Sequence, residues 1–344
     1  MDKKVAVAIL NWNGLDHLKC FLPSVVEHSK SHADVWIIDN ASDDESVAFV
    51  KSAFPEVRLV QLEQNYGFAG GYNRGLAKIE ADYFVLLNSD VEVTSNWIPP
   101  VIDYMESTEG MMSCQPKILD YNRKQWFEHA GAAGGFIDKD GFVFCAGRLF
   151  ADFEKDEGQY SKNEEVFWAS GASLFVNAKA YREVGGLDSH FFAHMEEIDL
   201  CWRLKNRGYK VGACRESAVY HVGGGTLEKI NPLKTFLNFR NNLFLITKNV
   251  FTSPLPYMLF KRMVLDGIAA FRFLAEGKPS YFVAVFKAHF SFYSNLRLML
   301  KKRKEEKKHV GSINLKGLYK KSILLEYFLR KKKTFHELEK DLFW

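Results

Sequence analysis

Three acidic residues within four positions, Glu196, Glu197 and Asp199, stand where a helical pattern opens. Carboxyls crowded in this way raise at least one pKa among themselves. That suits a general base taking the proton from an attacking hydroxyl. A helix N-terminus also favours acids for its dipole alone, so both readings stay open for these residues taken singly. Asn88-Ser89-Asp90 follows directly on the apolar run 83–87. A carboxylate in a loop at a strand's end is available to a hard cation such as Mg²⁺ or Mn²⁺, which takes oxygen ligands and pairs with diphosphates. The same three residue types also make ordinary turns. Asp39 ends another apolar run and could accept hydrogen bonds from a base or a ribose, while Ser42 to Asp44 suit the cap of the next helix. The glycine-rich stretch 65–75 enters a helix, where backbone can approach a phosphate; its spacing is not the G-x-G-x-x-G of dinucleotide-binding enzymes. His221 precedes Gly223, Gly224 and Gly225, which would let it reach a diphosphate–metal centre, although a lone histidine is as often structural.

These residues need a scaffold that gathers loops. Residues 5–10, 35–39, 57–61 and 83–87 read as short buried strands, and 16–28, 46–53 and 71–79 between them carry helical spacing. Strand–helix alternation predicts a doubly wound, mostly parallel sheet, which binds ligands at the carboxyl ends of its strands. The loops 11–14, 39–44 and 88–90 would converge there. Residues 110–185 read as more irregular and partly antiparallel, 196–207 as a helix, 209–220 as a strand, and everything beyond about 231 as helical and basic.

Length, 344 residues, allows a large core. The formal charge of +4 is uneven: residues 301–344 hold 14 Lys/Arg against 6 Asp/Glu, leaving a slightly acidic body. A basic end of this kind points to an anionic partner. The five cysteines are scattered without a C-x-x-C pair, which argues against a disulfide framework or a zinc site and for a reducing, cytoplasmic compartment. The opening run 5–10 is too short for a secretory core, and the most apolar stretch, 254–274, is interrupted by Lys261, Arg262, Asp266 and Arg272. No spanning helix is therefore expected.

Taken in order, Asn11-Trp12-Asn13-Gly14, Ile38 to Ser42, Asn65 to Gly75, Leu87 to Asp90, Ala169 to Ala172, Gly185 to Asp188 and Glu196 to Arg203 resemble the family 2 glycosyltransferases of GT-A fold, in particular the rhamnosyltransferase-like branch of bacterial surface polysaccharide synthesis. The resemblance covers roughly residues 4–245. It implies an α/β GT-A domain over 1–235; the composition of the rest reads as a helical, basic, membrane-associating region over 236–344. It implies an inverting transfer from a nucleotide diphosphate sugar, a UDP- or dTDP-sugar such as dTDP-rhamnose, with Mn²⁺ or Mg²⁺ as cofactor. Asp90 and His221 would hold the metal, and Asn11, Asn13, Asp39, Asn65, Gly67, Gly71, Asn73, Asn88 and Ser89 would line the donor side. Glu197, with Glu196 beside it, falls where the family often has Glu-Asp and would be the base. Gly171, Asp199, Trp202 and Arg240 would face the acceptor. The family's D-x-D motif is reduced here, with Asn88 in its first position.

The C-terminal third interleaves aromatic and basic residues: Tyr281, Phe282, Phe286, Lys287, Phe290, Phe292 and Tyr293, then the cations of 301–308 and 330–333. Amphipathic helices of this composition suit the inner face of a membrane and a lipid-linked or polysaccharide acceptor; a bundle with a solvated basic rim is the plainer reading. Two other functions stand against the enzyme. One is a catalytically inactive relative that binds nucleotide sugars. The other is nucleic-acid binding through the tail, which the acidic body and the lack of any nucleic-acid motif disfavour.

Overall fold

The computed structural model describes residues 3–223 and 231–344; Gly224, Gly225 and Thr226 of the glycine run lie outside them. The chain opens with β1 (Val5–Asn11), α1 (Leu15–Ser29), β2 (Asp34–Asp39), α2 (Ser46–Ala53), β3 (Arg58–Gln61), α3 (Gly67–Leu76) and β4 (Tyr83–Leu87), close to the alternation expected. It continues with β5 (Val91–Val93), α4 (Pro99–Ser107) and β6 (Met111–Asp120). Four short strands, β7 (Gly135–Asp138), β8 (Val143–Cys145), β9 (Arg148–Leu149) and β10 (Asp152–Phe153), then precede β11 (Glu164–Val166), β12 (Ser173–Asn177) and α5 (Ala178–Glu183). The remainder is α6 (Glu196–Asn206), β13 (Lys210–His221), α7 (Pro232–Asn249), α8 (Leu255–Ala275), α9 (Pro279–Lys307) and β14 (Leu318–Tyr319).

The central sheet runs β11-β13-β6-β12-β4-β1-β2-β3, with β5 on the end of β13. β3, β2, β1 and β4 are parallel, and β12 enters antiparallel between β4 and β6. Alternation along β1 sends Val5, Val7 and Ile9 into a core shared with α1 and α4, and Ala6 and Ala8 into the opposite core shared with α3 and α6. Burial on both faces explains why the strands read as continuous apolar runs. Such a sheet binds ligands at the carboxyl ends of its strands, where Asn11, Asp39 and Asn88 stand.

α3 starts four residues earlier than its spacing suggests. Its glycines lie inside the helix, pressed on the sheet: a Cβ on Gly75 would meet Ile38 at 2.4 Å, and one on Gly71 would meet Leu10 at 2.7 Å. Gly71 is therefore there for close helix–sheet packing and not for a phosphate. Only Gly67, at φ 70° with open space around it, uses the backbone freedom that glycine gives.

Residues beyond 235 do not form a separate basic bundle. α7 and α9 pack against each other and on the catalytic body, and β14 pairs in parallel with β7 in a second, five-stranded sheet. Ile323 N donates to Asp138 Oδ2 at 2.8 Å. Phe335 packs tilted and Phe343 edge-on against Phe136, with ring centroids 4.7 and 5.3 Å away. Part of the cationic run is likewise internal: Lys302 reaches Asp188 at 2.5 Å and Arg303 donates to Thr247 O. No helix among the described residues is long and apolar enough to cross a membrane.

Candidate active site

Strand register builds the first half of the site. Ser173 of β12 pairs with Leu87 of β4, and Asn88 N donates to Ala172 O at 3.0 Å, so Gly171 and Ala172 lie beside Asn88-Ser89-Asp90. β5 begins immediately after Asp90 and pairs with β13, setting Val91 opposite His221. The register alone thus brings Asp90 to His221, and Nε2 of the imidazole is 3.2 Å from Asp90 Oδ1. Asn88 Nδ2 lies 3.4 Å from the same nitrogen.

On the other side of the ring is Glu128, whose Oε2 is 3.2 Å from Nδ1. Nothing in the sequence marked this residue. It sits in the irregular link between β6 and β7, held by Glu128 N donating to Ile118 O and by Ala130 N donating to its carboxylate at 2.6 Å. Gly223, at φ 71°, leaves it room, since a Cβ there would meet Glu128 Oε1 at 2.4 Å. Burial alone would lower the His221 pKa. The hydrogen bonds to Asp90 and Glu128 outweigh it and lift the value to about 10. Burial would raise both carboxyls, but the charged ring overrides it, lowering Asp90 and taking Glu128 to about 2.

Once the ring gives up its Nε2 proton, the donor set, a carboxylate oxygen and an imidazole nitrogen on one point, is of the type Mn²⁺ accepts. No group of three or more His, Cys, Asp or Glu among the described residues is arranged to cage a metal by itself. Two protein ligands with the rest supplied by a diphosphate and water is how Mg²⁺-type ions are commonly held, so the residues fit such an ion. Glu128 then orients the ring from behind, the arrangement in which a carboxylate tunes a metal-binding histidine.

Glu197 approaches from α6. Its side chain lies against Gly171, where a Cβ would meet Glu197 Cγ at 3.6 Å, so it stands on the same sheet edge as Asp90. Glu197 keeps part of its surface while Glu196 is buried, and each has a buried Oε2 without a hydrogen-bond partner. Burial pushes both carboxyls up, Glu196 further because Glu197 adds to it; backbone amides, including that of Gly171, pull Glu197 partly back. Of the two, Glu197 is the one reachable by a hydroxyl.

The approach to α6 is strained. Phe192, His194 and Met195 have φ of 67°, 68° and 73°, none of them glycine. Conformations of this kind cost roughly 1–3 kcal/mol each and persist only where surroundings impose them. Here the restraint is Asn241 of α7, whose Nδ2 donates to the carbonyls of Phe191, Ala193 and His194 at 2.9, 2.8 and 2.8 Å. Arg240, expected to face the acceptor, donates instead to Phe191 O at 2.9 Å and to Asn241 Oδ1 at 3.0 Å, so it braces the same loop.

On the donor side, Asp39 is buried. Its Oδ1 accepts from Ser42 Oγ at 2.6 Å and from Asn11 Nδ2 at 3.2 Å, and its Oδ2 accepts from Ser42 N. Asn11 Oδ1 is left without a partner. Asn13 receives Asp43 N, and Asn65 Oδ1 receives Gly67 N and the amide of Asn40, which pins the start of α3 to the end of β2. Asn88 and Ser89 keep part of their surface, and Trp12, which follows Asn11 in the chain, is 52% exposed.

Three expected site residues are structural. Asn73 is consumed by Leu187 O, Leu187 N and the Tyr181 hydroxyl at 2.7, 2.9 and 2.6 Å, tying α3 to the 185–188 turn. Asp199 is fully buried, bonded to Arg203, Lys248 and Asn249 within 2.9 Å, and cannot face an acceptor. Trp202 packs edge-on against Phe167 in the core, centroids 5.1 Å apart.

The GT-A sheet carries an Asp–His pair at its carboxyl edge and a carboxylate on an adjoining helix, an arrangement suited to glycosyl transfer. Residues 6–185 match the model of glycosyl transferase family 2, and the chain belongs to that family, transferases that act on nucleotide sugars. A low-salt glycan biosynthesis hexosyltransferase Agl10 of Haloferax volcanii is 20% identical over 83% of this chain and 89% of its own. An N-acetylglucosaminyl-diphospho-decaprenol L-rhamnosyltransferase of Mycobacterium tuberculosis is 26% identical over 61% of this chain and 73% of its own. Among solved structures, the mannosyltransferase PcManGT of Pyrobaculum calidifontis, in complex with GDP-Man and Mn²⁺, has a TM-score of 0.52 at 11% identity, covering 90% of this chain and 86% of that one. GalNAc-T7 with UDP, GalNAc and Mn²⁺ has a TM-score of 0.55 at 16% identity, covering 72% of this chain and 48% of that one. At these identities the structures speak to the fold.

Proposed function

We propose that this chain is an inverting, metal-dependent hexosyltransferase that moves a sugar from a UDP- or dTDP-sugar, dTDP-rhamnose among them, to a lipid-linked or polysaccharide acceptor at the inner face of the cytoplasmic membrane. The observation carrying this reading is the meeting of Asp90 and His221, with Glu128 behind, on the sheet edge that also presents Glu197. The rhamnosyltransferase and hexosyltransferase relatives support the donor and acceptor classes.

When bound by Asp90 and His221, Mn²⁺ or Mg²⁺ would neutralise charge on the departing diphosphate. The protein's own residues do the rest. Asp39, Asn11 and Asn13 form the pocket wall for the nucleoside, stiffened by Ser42. Glu197, desolvated and short of one hydrogen bond, accepts the proton of the incoming hydroxyl as it attacks the sugar carbon from the side opposite the diphosphate. Burial keeps the Glu197 carboxyl basic. Incubating the enzyme with dTDP-rhamnose and a panel of UDP-sugars, each with a polyprenyl diphosphate-linked sugar, tests the reading by mass spectrometry of the product. An added hexose or deoxyhexose with an inverted anomeric centre supports it; nucleoside diphosphate release never exceeding the enzyme-free rate with any pair contradicts it.

A further inference from the structure

We infer that the outer face of the α8–α9 hairpin is a docking surface for an anionic phospholipid membrane. The inference rests on the lipid-linked acceptor reading only for its purpose. Its geometry stands alone.

α8 is built inside out. Arg262 and Asp266 point inward, while Arg272 stays exposed beside Glu276: Arg262 donates to Asp266 at 2.7 Å and to Asn242 at 2.5 Å, and lies 3.9 Å over the Phe142 ring. Asp266 also meets His289 Nε2 at 3.2 Å, and Lys261 reaches Asp140 at 2.5 Å. Lys261, Arg262 and Asp266 are three of the four charges that interrupt the stretch 254–274. They are partners within the protein.

What α8 shows outward is Tyr257, Phe260, Val264, Ile268 and Phe271, spaced by three and four residues, with exposures between 47 and 70%. α9 presents Val283, Phe286, Phe290 and Tyr293 at the same spacing, between 41 and 71% exposed. The two rows join through Phe271, Phe282 and Phe286, with centroids 5.5 and 4.7 Å apart, and through the Tyr293 hydroxyl donating to Met263 Sδ. Nine large apolar side chains in one surface exceed what soluble monomers usually leave bare, and such a surface has a partner.

Charge identifies that partner. Continued along α9 at helical spacing, the outward row changes from Phe290 and Tyr293 to the exposed cations Arg297, Lys301 and Lys304. The neighbouring acids are already engaged, Glu306 with Arg207 and Glu305 with Lys308. An apolar face with a cationic end matches acyl chains below anionic headgroups. A second copy of the same face would set these cations against their equivalents or leave them unmatched.

Flotation of the full chain with vesicles of phosphatidylcholine alone, or with phosphatidylglycerol added, tests this. Wild type should float with the anionic vesicles, and Phe260→Asp combined with Phe290→Asp should cut the bound fraction at least tenfold. Arg297→Glu with Lys301→Glu should weaken binding to anionic vesicles only. Both sites are exposed, so circular dichroism and melting temperature should be unchanged. Wild type that stays unbound, or a Phe260/Phe290 variant that floats undiminished, overturns the inference. So does a wild-type dimer in sedimentation that the variant dissociates without any vesicle binding. Nucleoside diphosphate binding, measured on the same samples, reads the catalytic proposal separately, since neither pair of substitutions touches that site.

Discussion

Glu128 Oε2 lies 3.2 Å from His221 Nδ1, so the imidazole that faces Asp90 is fixed from behind by a second, buried carboxylate. This pairing converts a lone histidine into an oriented one. Substituting Glu128→Gln should leave the fold intact but loosen the ring, lowering affinity for Mn²⁺ with a nucleoside diphosphate by about 10–100-fold. Titration followed by the electron paramagnetic resonance of free Mn²⁺ measures it. Unchanged affinity would remove Glu128 from the site.

Wild type titrated with Mn²⁺ alone should bind weakly, because among the described residues Asp90 and His221 are the two ligands offered there. Adding the matching nucleoside diphosphate should tighten binding at least tenfold. Tight binding of Mn²⁺ without nucleotide would mean that a fuller protein cage exists.

Glu197→Gln should slow turnover by roughly 10²–10⁴-fold while leaving donor binding within twofold. The wild-type rate should fall as pH drops through the raised Glu197 pKa, since a base must be ionised to act. Burial causes that elevation, whereas Glu196 owes its own to burial and to Glu197, so Glu196→Gln should leave the acidic limb in place. Steady-state pH profiles of the three proteins check this, and an acidic limb that survives in Glu197→Gln or moves in Glu196→Gln would contradict the assignment.

Asn241→Ala removes the amide that serves three loop carbonyls. Leaving them unsatisfied should cost about 1–3 kcal/mol in urea unfolding. It should also depress kcat more than nucleotide affinity, because Met195 and the start of α6 lose their restraint. Equal losses in both would mark Asn241 as a purely structural residue.

Asp188 links the 185–188 turn to α7 and α9 through Lys248 and Lys302, at 2.8 and 2.5 Å. Burial would raise its pKa, but the two ammonium groups override this and hold it well below the usual carboxylate range. A depressed pKa contributes stability that is fully present above the unfolded value of about 3.9 and is lost as pH falls below it. Urea midpoints taken at pH 6.5, 4.5 and 3.5 should therefore drop chiefly across the last interval, and less so in Lys302→Met. The same drop in both proteins would show that the pair is not the source.

Much of this was legible in sequence because it is local. β4 and α2 fall on the residues expected, since apolar runs and helical spacing need only neighbours to be read. Asp90 and His221 stand at strand ends, where polar residues are conspicuous after apolar ones. Glu128 was not legible, because it lies in an irregular link and acquires meaning only when β13 brings His221 to it, 93 residues away. Asn73, Asp199 and Trp202 were misplaced for the converse reason. Their motifs mark position in the chain, but which side of a helix faces the site depends on distant partners, Leu187 for Asn73 and Lys248 for Asp199. Which way α8 turns its charges was likewise not legible, because Arg262 and Asp266 satisfy each other inside and leave the aromatic side outside.

The central claim is that Asp90 and His221 make a metal-dependent nucleoside diphosphate site, and thermal unfolding of the full chain tests it most directly. Ligands that bind only the folded state raise stability by about 2.7 kcal/mol at a hundred times Kd. With uridine, thymidine and guanosine diphosphates, each with and without Mn²⁺, one diphosphate should raise the melting temperature only when Mn²⁺ is present, and Asp90→Ala should abolish that rise. A rise that survives in Asp90→Ala, or no rise with any diphosphate, would contradict the account.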